Sequence, residues 1–138
     1  MKSLATLIKL QKTFVDEQRQ HLARLLENLE RIENSIAQLE IIKVREQAAV
    51  KDEAARMTYG AFLKQMIEKG RALETERQTA ELAVKMAQEK LAELFEEQKR
   101  FETAEAQRIE EEAKIERHLE TLELDEIGGT RHERQRAE

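Results

Sequence analysis

Between Ala49 and Leu63 the chain reads AVKDEAARMTYGAFL, and the fold depends on whether this stretch reverses the direction of a helix. On its N-terminal side, apolar residues recur at alternating spacings of three and four: Leu4, Ile8, Gln11, Val15, Gln18, Leu22, Leu25, Leu29, Ile32, Ile36 and Leu39. Only the two glutamines interrupt that seam, which has the period of a left-handed coiled coil. Past Leu39 the register is expected to fail, because Lys43 and Glu46 stand where apolar residues are due. A shifted stripe of Ile41, Val44, Ala48 and Ala55 would take over.

On the C-terminal side a second register runs from Leu63 and Met66 through Gly70, Leu73, Arg77, Ala80, Val84, Ala87, Leu91, Leu94, Gln98 and Phe101. It then meets Glu105, Arg108 and Glu112 and recovers at Ile115, Leu119 and Leu122. A neighbouring stripe of Ala106, Ile109 and Ala113 suggests a rotated apolar face, or a partner helix that has ended. Gly60 is the residue of the central stretch suited to a tight turn, and Thr58 is suited to cap a helix after it. The reversal is therefore expected within residues 50–60. The reading is all-α: two long helices of unequal length forming an antiparallel coiled-coil hairpin over residues 1–127, followed by a flexible charged tail at 128–138. Leu4 would pair near residue 106, and the second helix would overhang the first by about four or five turns. Gly128-Gly129 is expected to stop that helix. The rival fold is one continuous helix that dimerises.

Composition supports helices over a globule. In 138 residues there is no Pro, Trp or Cys and only 4 Gly, while 38% of side chains are charged. Turns are usually built with Gly and Pro, and much of the apolar content is Ala, which buries little area. The absence of Cys removes disulfides and thiolate ligands. No stretch approaches a membrane span, and Lys9, Gln11 and Lys12 break the N-terminal apolar run, so neither direct membrane insertion nor a signal peptide is expected. The net charge of −5 gives no general attraction for nucleic acid. Most of the excess acid falls between Glu102 and Glu126.

Chemistry is sparse. His21, His118 and His132 are scattered, and no His follows a Glu by three residues, as helical di-metal sites require. There is no H-E-x-x-H and no Gly-rich phosphate loop. Glu110-Glu111-Glu112 points in several directions around a helix and reads as a solvated face. Asp52-Glu53 offers two carboxylates, a weak cation site beside a solvated turn. No cofactor, no metal and no enzymatic activity are expected.

Exposed apolar surface is the remaining lead. Leu7, Leu10 and Phe14 lie off the first seam beside Leu4, Ile8 and Val15, either under the overhanging helix or free to enter a partner. Tyr59, Phe62, Met66 and Ile67 crowd the start of the second helix, as bend packing or as a docking surface. Arg77 in the seam either fixes register or snorkels outward.

Two segments carry a resemblance. Tyr59-Gly60-Ala61-Phe62-Leu63 is similar to the aromatic-x-x-Phe-aliphatic start of the second helix in the flagellar export protein FliJ family. Leu124-Asp125-Glu126-Ile127 is similar to the Asp-Glu element closing that family's second helix. Length, a longer second helix and a charged tail match the family over nearly the whole chain. The resemblance implies a cytoplasmic stalk, peripheral at the cytoplasmic face of the inner membrane, standing in a hexameric export ATPase and linking it to the membrane-embedded export gate. Chaperones of filament-type substrates are further implied partners. By that analogy Leu4, Leu7, Ile8 and Leu10, with Ile115, Leu119 and Leu122, would face the ring. Phe62 and Met66 would face the gate. Two other functional classes fit the residues: a generic coiled-coil scaffold or holdase-type chaperone, and a tip-acting factor delivering Asp52 and Glu53 into an enzyme channel.

Overall fold

The computed structural model describes residues 3–137 and contains two α-helices, α1 (Leu4–Ala48) and α2 (Glu53–Ala137). They pack against each other as an antiparallel hairpin. Two contact units can be separated. One comprises Thr13–Leu94 and includes the turn; the other is formed by the chain up to Lys12 and from Phe95 onward.

Each helix begins on a side-chain cap. Ser3 Oγ accepts the Thr6 N–H at 3.2 Å, and the Leu7 N–H bonds the Ser3 carbonyl at 3.0 Å. For α2 the cap is Asp52, whose Oδ1 accepts the Ala55 N–H at 2.7 Å while its carbonyl accepts the Arg56 N–H at 3.0 Å. These bonds satisfy donors that a helix start leaves without partners. The reversal therefore occupies residues 49–52, at the near edge of the expected window. Gly60 and Thr58 both lie inside α2, and the Thr58 hydroxyl bonds back to the Ala54 carbonyl at 3.2 Å. Asp52 outcompetes them because it supplies a cap without requiring a left-handed residue, and no residue of the turn has positive φ. Asp52→Ala should destabilise the hairpin by about 1 kcal/mol, read as a lower urea midpoint at unchanged helicity. An unchanged midpoint would show that the turn holds without its cap.

Within the Thr13–Leu94 unit the seam follows the expected periodicity. Val15, Ile32, Leu39, Ala80, Val84, Ala87 and Leu94 are buried, and the seam positions between them are half-covered. Among the described residues no large side chain is completely enclosed, since a pair of helices covers a seam residue from one side only. Opposite the large Leu and Ile residues of α1, α2 presents Ala80, Ala83, Val84 and Ala87. The small Ala87 side chain leaves its carbonyl reachable, and Gln18 Nε2 donates to it across the seam at 3.2 Å. At Gly70 an added Cβ would lie 3.4 Å from Leu39 Cδ2, an ordinary van der Waals contact, so Leu39 sits over this glycine with room for a methyl group. Among the described residues no buried side-chain nitrogen or oxygen lacks a hydrogen bond.

Two further expectations are corrected. The first register is interrupted after Leu39 at Glu46, which is exposed, but not at Lys43. Lys43 occupies the next seam position with its stem half-covered and its ammonium 3.0 Å from Glu40 Oε1, and Val50 follows seven residues later. Of the shifted stripe, Ile41, Val44 and Ala48 are exposed and Ala55 is half-buried. An aliphatic stem serves the seam while the charge reaches water, which residue type alone conceals. Second, α2 does not stop at Gly128-Gly129. It continues to Ala137 with neither glycine at positive φ. Glycine weakens a helix by about 1 kcal/mol per residue without ending it, and the following Arg, Glu and Gln residues are good helix formers. On α2 in the other unit Ala104, Glu105 and Ala113 are half-covered, while Ala106 is exposed.

Candidate docking surfaces

The expected partner-facing residues fall into three groups. Leu4, Leu7 and Ile8 are half-buried, whereas Leu10 and Phe14 are exposed. The apolar surplus at the start of α1 is thus divided: Leu7 is covered along with the seam, while Leu10 and Phe14 remain at the surface.

Ile115, Leu119 and Leu122 stand apart from any packing. They are 61%, 57% and 51% exposed, and every residue from Lys114 to Arg136 is exposed. This stretch of α2 continues the coiled-coil period with no partner along it. Leu124 and Ile127, also exposed, add a second apolar edge three residues apart that the heptad count had not singled out. Their spacing was visible, but it acquires meaning only once the helix is known to run past Gly128.

Phe62 and Met66 belong to the other unit and are half-buried. Phe62 lines an open hollow beside the turn with Glu46, Ala49, Val50, Ala55, Thr58 and Tyr59, and its ring centroid is 6.3 Å from that of Tyr59. Each aromatic thus packs on the bend with one side and presents another to solvent.

Charge is held by local pairs. Arg77 is half-buried in the seam, with Nε 2.9 Å from Glu74 Oε2 and Nη1 2.7 Å from Glu81 Oε1; the Glu33 carboxylate of α1 adds to the field around it. It neither snorkels freely nor relies on a single partner. The Arg77 hydrogen bond lowers the Glu74 carboxyl below its ordinary value, and Arg108 does the same for Glu105. Arg108 also reaches Glu112 at 2.7 Å, and Arg117 pairs with Glu110 at 3.2 Å. Glu111, Glu116, Glu120, Glu123, Asp125 and Glu126 make no ion pair among the described residues.

The Asp52 carboxylate is committed to capping α2, and among the described residues no three His, Cys, Asp or Glu side chains gather as a metal site would require. No helix among them is long and apolar enough to cross a membrane. The arrangement suits contact with other proteins along helix faces.

In comparison with known proteins, the family model described as Flagellar FliJ protein matches residues 1–137. No curated protein and no solved structure matches the chain.

Proposed function

Because the chain belongs to the flagellar FliJ protein family and is a flagellar export component, we propose that it is the non-enzymatic stalk of the type III export apparatus. In this reading the hairpin stands in the hexameric export ATPase and links that ring to the membrane-embedded export gate. It works at the cytoplasmic face of the inner membrane and passes on chaperones of filament-type substrates. The observation that carries the proposal is the family match over residues 1–137. The long unpaired end of α2 supports it, since a protruding helix with exposed Ile115, Leu119 and Leu122 has apolar surface to offer a ring.

Two helices joined by a four-residue turn supply length and stiffness without a water-excluding pocket. Such a body acts by what it touches. The protein should therefore raise the turnover of the purified export ATPase while hydrolysing no ATP itself. Steady-state phosphate release with and without the protein, together with co-elution, decides this. Absence of both stimulation and co-elution would sink the stalk reading.

The gate-facing assignment of Phe62 and Met66 has its own test. In the variant Phe62→Ala with Met66→Ala, export of filament-type substrates should fall while helicity and ATPase binding persist. Both side chains are half-buried, so a modest drop in unfolding midpoint is compatible with this reading. Loss of the helical signal would assign the pair to packing of the bend instead.

A further inference from the structure

Between Ala72 and Met86, α2 carries a second heptad stripe on the face turned away from its seam. Ala72, Thr75, Thr79, Leu82 and Met86 follow one another at steps of three and four, and all five are exposed. Glu68 closes the stripe at one end and Glu89 and Glu93 at the other. The Thr75 hydroxyl donates to the Arg71 carbonyl and the Thr79 hydroxyl to that of Thr75, each at 3.1 Å, so what both offer a neighbour is a methyl group. The face is therefore apolar, led by Leu82 and Met86. Its borders are mainly basic. Arg71 and Lys85 lie along one, Lys69 and Lys90 along the other, with Glu76 as the acid between them. Lys69, Arg71 and Lys85 make no ion pair among the described residues, and Lys90 reaches Glu93 at 4.0 Å. Past Glu76 and Ala83 the stripe opens into a groove lined from α1 by Leu25, Asn28 and Arg31, a further cation.

We propose that this face binds residues 111–126 of a second copy of the chain. Those residues have the complementary make-up. Ile115, Leu119 and Leu122 are exposed on one face. Glu116 and Glu123 border it on one side; Glu111, Lys114, His118 and Asp125 border it on the other, so one border is acidic and the other mixed. Arg108, at the head of that face, is held by Glu105 and Glu112. Charge selects the pairing: stripe on stripe would oppose base to base, and C-terminal stretch on C-terminal stretch acid to acid, whereas the mixed pairing sets acid against base. Sterically, Ile and Leu over Ala72, Thr75 and Thr79 repeats how large α1 residues sit on the alanines of α2. Both segments lie on one unbroken helix, so neither can fold back on the other and a second copy must supply the contact. With two large apolar side chains, the stripe offers a lipid surface little to bury. Ile115, Leu119 and Leu122 are also the residues assigned to the ATPase ring; on the stalk reading the self-associated form is a resting form that ring entry opens.

The test is sedimentation velocity of the full-length protein from about 10 to about 500 μM, at low and high salt. The parent should self-associate with rising concentration. Leu82→Ser with Met86→Ser should weaken this at least tenfold, and so should Leu119→Ser with Leu122→Ser. Mixing these two variants should restore association, because one keeps the C-terminal stretch and the other the stripe. Arg71→Glu with Lys85→Glu should weaken association severalfold at low salt, with a smaller deficit at high salt. All of these side chains are exposed, so at low concentration, where the chain is monomeric, helicity and thermal midpoint should equal the parental values. A parent that stays monomeric throughout overturns the proposal, and one that instead floats with phosphatidylglycerol vesicles gives the face to lipid. Undiminished association of the Leu82/Met86 variant removes the stripe from the contact. Failure of the mixed variants to associate shows that the two segments do not meet. Adding the purified export ATPase should lower the associated fraction of the parent. If the ATPase binds and the associated form persists, the resting role falls; if it does not bind, the stalk reading falls while self-association stands.

Discussion

Leu39→Ala is expected to lower the unfolding free energy of the hairpin by about 2–3 kcal/mol. Leu39 is 4% exposed, and its Cδ2 lies against the backbone of α2 where Gly70 has no side chain. Truncation removes the apolar area that Leu39 buries and leaves a void facing a glycine. The loss should sit toward the lower end of the range for buried leucines, because a two-helix seam is open to water at its edges. Urea unfolding followed by circular dichroism at 222 nm measures it. For a small protein whose total stability is marginal, the shift should be large and visible without extrapolation. A change below about 0.5 kcal/mol, the level of an ordinary surface substitution, would mean that the Leu39–Gly70 layer does not hold the helices together.

The second large effect has the opposite sign. Gly60→Ala combined with Gly70→Ala should stabilise the hairpin by about 1.5–2 kcal/mol, since each glycine in a helix interior costs about 0.8–1 kcal/mol relative to alanine. Neither position needs glycine for its backbone, because no glycine among the described residues has positive φ. At Gly60 a Cβ would meet nothing within 4 Å; at Gly70 it would make an ordinary contact with Leu39. The single variants separate the two contributions. If Gly70→Ala alone destabilises, the helices pack too closely there for a methyl group, and the interior glycine is set by that approach. If both single variants stabilise, the fold gains nothing from glycine at either position.

These two experiments bear on the same layer, and that layer was partly legible beforehand. The periodicity of Leu4–Leu39 and of Leu63–Phe101 placed Leu39 and Gly70 in seams, and both are covered. What could not be read was that one sits on the other. Pairing across a hairpin depends on where the chain reverses, and the reversal is set by a short-range contest among caps. Gly60 looked like the turn residue because glycine tolerates left-handed backbone. Asp52 prevailed because its carboxylate could satisfy the Ala55 N–H while the backbone stayed in ordinary conformations. Lys43 was misjudged for a related reason. A charged residue at a seam position reads as a break until the direction of its stem is known.

The residues expected to face partners divide in the same way. Spacing alone singled out Ile115, Leu119 and Leu122 as a resumed seam, but a seam can be core or surface. Their exposure depends on how far α1 extends along α2, which no local pattern encodes. Leu7 and Leu10 make the same point within one helical turn: both are leucines beside the seam, yet one is half-buried and the other exposed.

By itself, the sequence determined that this chain is two helices with two registers, because helical period and apolar spacing are properties of neighbouring residues. It also placed the excess acid on the C-terminal part of the second helix. The tertiary structure decided where the chain turns, that α2 runs on through Gly128-Gly129, and which apolar face is left without a partner. The first two follow from local caps and helix propensities that compete too closely to be read from a pattern; the third depends on contacts between residues far apart in the chain, where a shift of a few residues in the turn changes what every later residue meets.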